Sequence, residues 1–407
     1  TTLLFLLIDF LLKIKTEKKY ICYINLETIQ DYKIFSNPQL FIENIRAGCN
    51  PKKKIFVFID EIQRIQNSGM FLKGLFDLQP NIKLFVSGSS SLEIQSKTKE
   101  FLTGRKKETV LLPLTFNEIV DYNQKLPAMK YISLAHKNIN RWRELDKIYS
   151  ALLIKQIEKS ALFGHYPAIL KKSGNTDKIE TLNELFNSYV KKDVVDFIKI
   201  EKTDLFNQLV KVLSGQIGNL INKSEIGSHI QINSATLNHY LSVLQDTFVT
   251  HYLPPYTSLR RNEVKSAHKC FFFDNGLRNF ALRMFSELEF RPDKGMLLEN
   301  LVFTEIYKKL SVEQELFFWR TKAGAEVDFV LTFGNNIIPI EVKSGSVKSG
   351  MISKSFHSFI DNFKPVAGIC LNKDTFDIAN ISGSRIYYIP IHWFLIYFRE
   401  IIQDILK

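Results

Sequence analysis

The most constraining feature of this chain is the run IFVFIDE at residues 55–61. Five consecutive apolar residues leave no polar face, so a strand built from them is buried on both sides. That is the condition of a parallel sheet covered by helices. The run then ends in two adjacent acids, Asp60 and Glu61, at the C-terminal edge of the sheet, where such folds bind ligands. The neighbouring segments fit this frame. YICYINLE (20–27) and KLFVSGSS (83–90) read as further strands, with helices over 2–15, 38–47 and 69–78.

An apolar strand ending in Asp-Glu is a Walker B arrangement. Asp60 can hold Mg²⁺ through its water shell, while Glu61 orients an attacking water. The plainer alternative is a strand that ends in two solvated acids. Ser87 or Ser89, at the end of the third strand, is the candidate hydroxyl for the γ-phosphate of ATP, and alternation does not choose between them. The opening TTLLFLL matches the residues just after the lysine in a G-K-T-T-L-L phosphate loop, which makes Thr1 a hydroxyl ligand of Mg²⁺. On this reading the chain starts, without a Met, just past the glycine-rich loop. The loop's amides and lysine supply most of the phosphate contact, so the chain as it stands is expected to bind ATP weakly or not at all.

Taken in order, TTLL, FIDEIQRI, LFVSGSSSLEI, FLTGRKKE and LLPLTFNEIV resemble a family of prokaryotic AAA-type ATPases of the AAA+ superfamily. The resemblance continues through LFGHYPAIL (162–170), YVKKDVVDF (189–197), KCFFFDNGLRNF (269–280), GMLLENLVFTEI (295–306), GAEVDFVL and IPIEVKSG. It implies a P-loop core that takes ATP and Mg²⁺, followed by a half of unknown function. It also implies that Arg105 lies near the γ-phosphate or a subunit boundary. The residues alone equally allow Arg105 a surface cluster with Lys106 and Lys107.

At 407 residues the chain exceeds one core. The expected fold class is α/β multidomain: a P-loop NTPase parallel sheet over 1–122, a helical region over 123–202, a winged helix-turn-helix over 203–275 and an α/β domain over 290–407. In the third segment, helices are expected at 203–214, from Ser224 to His229 and from Ser234, with Ser224 and Ser234 as caps. Arg260, Arg261 and Lys265 would sit on the wing, but the third helix carries no lysine or arginine, so DNA contact and protein docking both stay open.

In the last segment, Glu326, Asp328, Glu341 and Lys343 fall on two adjacent apolar strands. Residues i and i+2 share a face, so Glu341 and Lys343 point together, and strand pairing can bring Asp328 beside Glu341. Glu299 on the preceding helix would complete a Mg²⁺-binding cluster. This order resembles the PD-(D/E)xK nuclease fold. Three functions therefore compete: an ATPase whose nucleotide state controls a partner- or DNA-contacting half, a Mg-dependent nuclease, and a non-catalytic interaction protein with relic sites.

The formal charge of +12 favours an anionic partner, unless it only reflects lysines scattered along the chain. Cys22, Cys49, Cys270 and Cys370 form no C-x-x-C pair, which fits a reducing, cytoplasmic setting. The apolar opening lacks a basic leader and is too short to span a bilayer, so it reads as a buried helix and no membrane is expected.

Overall fold

The computed structural model describes residues 1–29, 33–65, 67–78, 81–88, 107–123, 131–135, 138–188, 203–257 and 267–407. It divides into two compact units, Thr1–Val110 and Leu111–Lys407. Both are mixed α/β.

In the first unit, α1 (Thr2–Lys13) leads to β1 (Ile21–Asn25), α2 (Pro38–Arg46), β2 (Ile55–Asp60), α3 (Ser68–Leu78) and β3 (Ile82–Val86). The strands are parallel in the order β1-β2-β3, so the run carrying the two acids is central. Strand parity sorts its side chains. Ile55, Val57 and Ile59 enter the core formed with Phe41, Phe71, Leu72 and Leu75 of α2 and α3. Phe58 faces the other way and packs with Leu4 and Leu11 of α1. Asp60 has the parity of Phe58, which turns its carboxylate to the side of α1. Helix α2 starts cleanly because Asn37 accepts from the Leu40 amide (3.1 Å) and Pro38 opens the first turn.

The second unit begins with α4 (Phe116–Tyr122), α5 (Ile139–Phe163) and α6 (Asn175–Leu185). Next come α7 (Thr203–Gly215), α8 (Lys223–His229), α9 (Ser234–Asp246) and the antiparallel pair β4 (Thr250–Leu253) and β5 (Lys269–Phe272). Helices α10 (Asn275–Leu282) and α11 (Lys294–Lys309) precede β6 (Gln314–Arg320), β7 (Glu326–Phe333), β8 (Asn336–Val342), α12 (Lys354–Phe363), β9 (Ala367–Asn372), β10 (Asp377–Ile381), β11 (Ser384–Pro390) and α13 (Ile391–Ile405). The six strands order as β10-β11-β9-β8-β7-β6. Strand β9 runs parallel to β8 and β11; the other pairings are antiparallel. Phe356, Phe359 and Ile360 of α12 pack with Phe317, Trp319 and Val330, whereas Phe303 of α11 and Trp393 and Phe398 of α13 join the main core with Phe329 and Ile340.

Three differences from the sequence reading have local causes. The boundary at 122 cuts into the second unit: α4, started by a Thr115–Glu118 capping box, buries Phe116 and Val120 in the second unit's core. The Phe116 amide also donates to Glu305 (2.9 Å). The caps of α8 and α9 are Asn222 and Asn233, whose side chains accept from Glu225 and Thr236, so Ser224 and Ser234 lie inside the helices. Helix α10 and the edge strand β10 escaped the sequence reading because each is short, eight and five residues.

Several blocks that looked diagnostic in sequence are joints of this unit. Asp274 caps α10 through the Leu277 amide (3.1 Å) and also accepts from the His165 amide (2.6 Å). Asn300 of α11 bonds both the amide and the carbonyl of Phe272. Asn279 donates to the carbonyls of Ala161 and Leu162. Gly276 is required by contact, because a Cβ there would stand 2.2 Å from the Phe163 carbonyl oxygen.

Candidate nucleotide and acidic sites

At the C-terminal end of β2, Asp60 is 1% exposed. Such a carboxylate needs donors, since an ion removed from water without partners is strongly disfavoured. Three elements supply them. Tyr23 of β1 donates its hydroxyl to Oδ2 (3.1 Å), Ser87 after β3 donates its hydroxyl to Oδ1, and the backbone nitrogen of Thr1 lies 3.6 Å from Oδ1. Register explains the convergence: Tyr23 pairs with Phe58, and Phe58 pairs with Phe85, so Tyr23, Asp60 and Ser87 all carry the parity of that face. Burial works to raise the Asp60 pKa. The side-chain hydrogen bonds from Ser87, Thr1 and Tyr23 outweigh it and hold the carboxyl below its ordinary value.

Glu61 follows in the left-handed region (φ 62°), which turns the chain sharply off the strand. Its carboxylate accepts from the Gln63 side chain. Thr1, Asp60, Ser87 and Tyr23 are thus brought together, with Glu61 beside them in the chain. Ser89 and Arg105 lie outside the described residues, as do the expected wing residues Arg260, Arg261 and Lys265 and the block YVKKDVVDF. Sequence reasoning missed Tyr23. Its only signal was an aromatic hydroxyl at even spacing on the neighbouring strand.

Among the described residues, no three carboxylate, imidazole or thiol side chains are grouped to hold a metal. One buried, ionised carboxylate with hydroxyls around it still suits Mg²⁺, which keeps several waters and is commonly held by one or two carboxylates together with nucleotide phosphates.

The second site lies on the C-terminal sheet. Lys343 contacts Glu341 (2.9 Å), as their shared parity requires. The Asp328 carboxylate accepts from the Val342 amide (2.7 Å), which sets it next to Glu341. Glu341 is buried, and among the described residues its Oε2 has no hydrogen-bond partner. Glu299 and Glu326 do not stand free. Lys269 of β5, 1% exposed, extends its ammonium to Glu299 (3.1 Å) and Glu326 (2.6 Å), and Arg320 also binds Glu326 (3.0 Å). Burial raises the Glu299 pKa; Lys269 works against this, but Asp328 and Glu326 add to it. Asp328 is also raised, chiefly by burial, with Lys269 opposing. Lys269 entered the sequence reading only as the first residue of the block KCFFFDNGLRNF, with no site role, and its place makes this a lysine-centred ion-pair network.

Residues 1–120 match a family described as an AAA domain, residues 154–288 a domain of unknown function (DUF8612), and residues 294–394 another (DUF4143). This order of matches supports an AAA-type ATPase-like architecture followed by domains of unknown function. An uncharacterized protein of Methanocaldococcus jannaschii is 29% identical over 305 residues, which cover 74% of this chain and 63% of that protein. An uncharacterized protein of Haemophilus influenzae is 23% identical over 395 residues, covering 95% of this chain and 89% of the relative. The chain therefore spans less than two thirds of the archaeal relative's length. A solved Vibrio cholerae protein, VC1899, aligns over 87% of this chain and 88% of its own at 11% identity, with a TM-score of 0.19 that carries no argument. Among the described residues, no helix is long and apolar enough to cross a membrane.

Proposed function

We propose that this protein is an ATP hydrolase of the AAA type, whose nucleotide state governs how residues 111–407 meet a partner protein or DNA. The observation that carries this reading is the Asp60 carboxylate. It is buried at the mouth of the central parallel strand, is held ionised, and is met there by the hydroxyl of Ser87 and by Thr1, which precedes the apolar helix α1. In this reading Asp60 and Thr1 hold Mg²⁺, Glu61 orients the attacking water, and Ser87 turns its hydroxyl toward the γ-phosphate. Bound magnesium supplies charge neutralisation on the phosphates. Ser89 stays the alternative to Ser87, and Arg105 is proposed to lie near the γ-phosphate or a subunit boundary, as the resemblance implies. The four free cysteines support a reducing, cytoplasmic setting.

The test is phosphate release from Mg-ATP by the chain extended at its amino end with a G-x-x-x-x-G-K segment, with Asp60→Asn as control. Turnover lost in the variant supports the reading; no turnover in the extended chain sinks it. Calorimetric titration of residues 1–407 with Mg-ATP examines the loop separately, and micromolar affinity there would refute its proposed importance.

A second reading, Mg-dependent cleavage of nucleic acid, is supported by the convergence of Asp328, Glu341 and Lys343. Helices α7, α8 and α9 with the β4–β5 pair have the order of a winged helix-turn-helix, which supports DNA or protein contact by this half. Nicking of plasmid DNA with Mg²⁺ or Mn²⁺ that disappears in Lys343→Ala would favour it over the relic-site alternative.

A further inference from the structure

Before each of the first two strands the chain collects lysines. Residues 13–20 lead into β1 and residues 47–54 into β2. Together they carry seven lysines and one acid, Glu17, so these sixteen residues hold half of the chain's formal charge of +12. All seven lysines are exposed. The strands are parallel neighbours, so their starts lie at one edge of the sheet, about 5 Å apart. Asp60 ends β2 at the opposite edge, about 17 Å away along the strand. On the β3 side the charge evens out, with Lys83 on the strand and Asp77 in the last turn of α3.

The two lysine segments are tied into one surface. Glu17 is held between Lys53 (2.7 Å) and Lys19 (3.1 Å). Both ammonium groups stand over the Tyr20 ring, 5.2 and 5.4 Å from its centre. The Tyr20 hydroxyl accepts from the Asn50 amide (3.3 Å), and the Cys49 thiol donates to the Lys19 carbonyl (3.1 Å). Among the described residues, Lys13, Lys18, Lys52 and Lys54 pair with no acid. Lys13 and Lys15 complement the C-terminal end of the α1 dipole. Lys18, Lys52 and Lys54 have no such task, and like charges this close raise one another's energy. A bound polyanion removes that cost.

Residue type narrows the partner. Each of these cations is a lysine, a flexible point charge without the planar fork by which arginine reads a base edge. Such a surface follows a phosphate backbone and ignores sequence. A lipid surface fits less well. Among the large apolar side chains of the two segments only Ile14 is exposed, too little to anchor this edge in acyl chains. The other exposed apolar side chains of α1, such as Leu3 and Leu6, lie up the helix toward the Asp60 edge.

We propose that the edge of the first unit where β1 and β2 begin binds the phosphate backbone of a nucleic acid without reading its sequence. This goes beyond the ATPase reading and needs neither nucleotide turnover nor contact through residues 111–407, so its failure leaves that reading standing.

The probes are a short duplex DNA and a single-stranded RNA of equal length, each labelled and titrated with residues 1–407 over a range of salt. The variant Lys13→Gln/Lys18→Gln/Lys52→Gln/Lys54→Gln removes four exposed charges that hold no acid. Its charge-matched control is Lys147→Gln/Lys155→Gln/Lys171→Gln/Lys172→Gln, four exposed lysines of the second unit. The edge variant should bind at least about tenfold more weakly at low salt, and its plot of log K against log salt should be shallower by about three for the duplex. The control should stay within about twofold of wild type. A loss on both probes assigns the edge to any nucleic-acid backbone, and a loss on one assigns it to that class. No binding of either probe by the wild type would overturn the proposal, as would equal weakening by both variants, which is the mark of net charge alone. Phosphatidylserine vesicles supply the last arm: vesicle binding lost in the edge variant, with DNA and RNA binding unchanged, gives the surface to a membrane and overturns it too.

Discussion

The Tyr23 hydroxyl donates to the Asp60 carboxylate across 3.1 Å, joining the first strand of the sheet to the acid that ends the second. Together with Ser87 it fixes the carboxylate before any ligand arrives. That matters because a pre-set group loses little freedom when it engages charge.

Replacing Tyr23 by Phe removes one hydrogen bond to a buried charged group and almost no volume. The expected cost is about 1–3 kcal/mol, read as a lower urea midpoint with an unchanged slope. In the chain extended with a phosphate loop, Asp60→Asn should lower phosphate release by on the order of 100-fold or more, and Tyr23→Phe by less. Equal losses would mean that Tyr23 does more than position the acid.

Glu305 lies at 1% exposure among Lys308 (3.3 Å), Lys309 (3.3 Å) and His165 (3.4 Å), and it accepts from the Phe116 amide. Burial opposes its ionisation, but Lys308, His165 and Lys309 hold its pKa well below the ordinary range. Glu305→Ala would leave buried positive charge without a partner. Destabilisation of about 3–5 kcal/mol is expected in denaturant melts. A loss under about 1 kcal/mol would show that water reaches these lysines freely.

Asp293 is gripped by Arg278 (2.5 Å) and Arg291 (2.7 Å). Burial pushes its carboxyl up, yet hydrogen bonds from Arg291 and Arg278 reverse this and bring its pKa from 3.8 down to about 2. The folded value lies below the unfolded one. The stabilisation is therefore complete above the unfolded pKa and is lost as pH falls through the folded value. The stability gap between wild type and Asp293→Asn should shrink by about 2 kcal/mol between pH 5 and pH 2. A pH-independent gap would contradict the arginine clamp.

Gly276→Ala places a methyl 2.2 Å from the Phe163 carbonyl oxygen, a backbone atom that cannot rotate away. The end of α5 must separate from α10, at about 2–4 kcal/mol. Thermal melts should show it directly. Gly295→Ala, where nothing lies within 4 Å of the new Cβ, should be close to neutral.

Much of this fold is visible in one dimension because strands and helices have fixed periods. The unbroken apolar run ending at Asp60 determined a central parallel strand, and its parity set the acid on the side of α1. Parity likewise determined that Glu341 and Lys343 share a face. Only tertiary structure decided which groups complete these sites. Tyr23 reaches Asp60 across 37 residues and Lys269 reaches Glu299 across 30, through strand register and helix packing that no local pattern encodes. The unit boundary at Val110, ahead of α4, had the same origin, because Phe116 and Glu305 meet only once the second core has formed. Local periodicity follows from backbone geometry, whereas ion pairing follows from where distant elements pack, and burial makes those distant pairs obligatory.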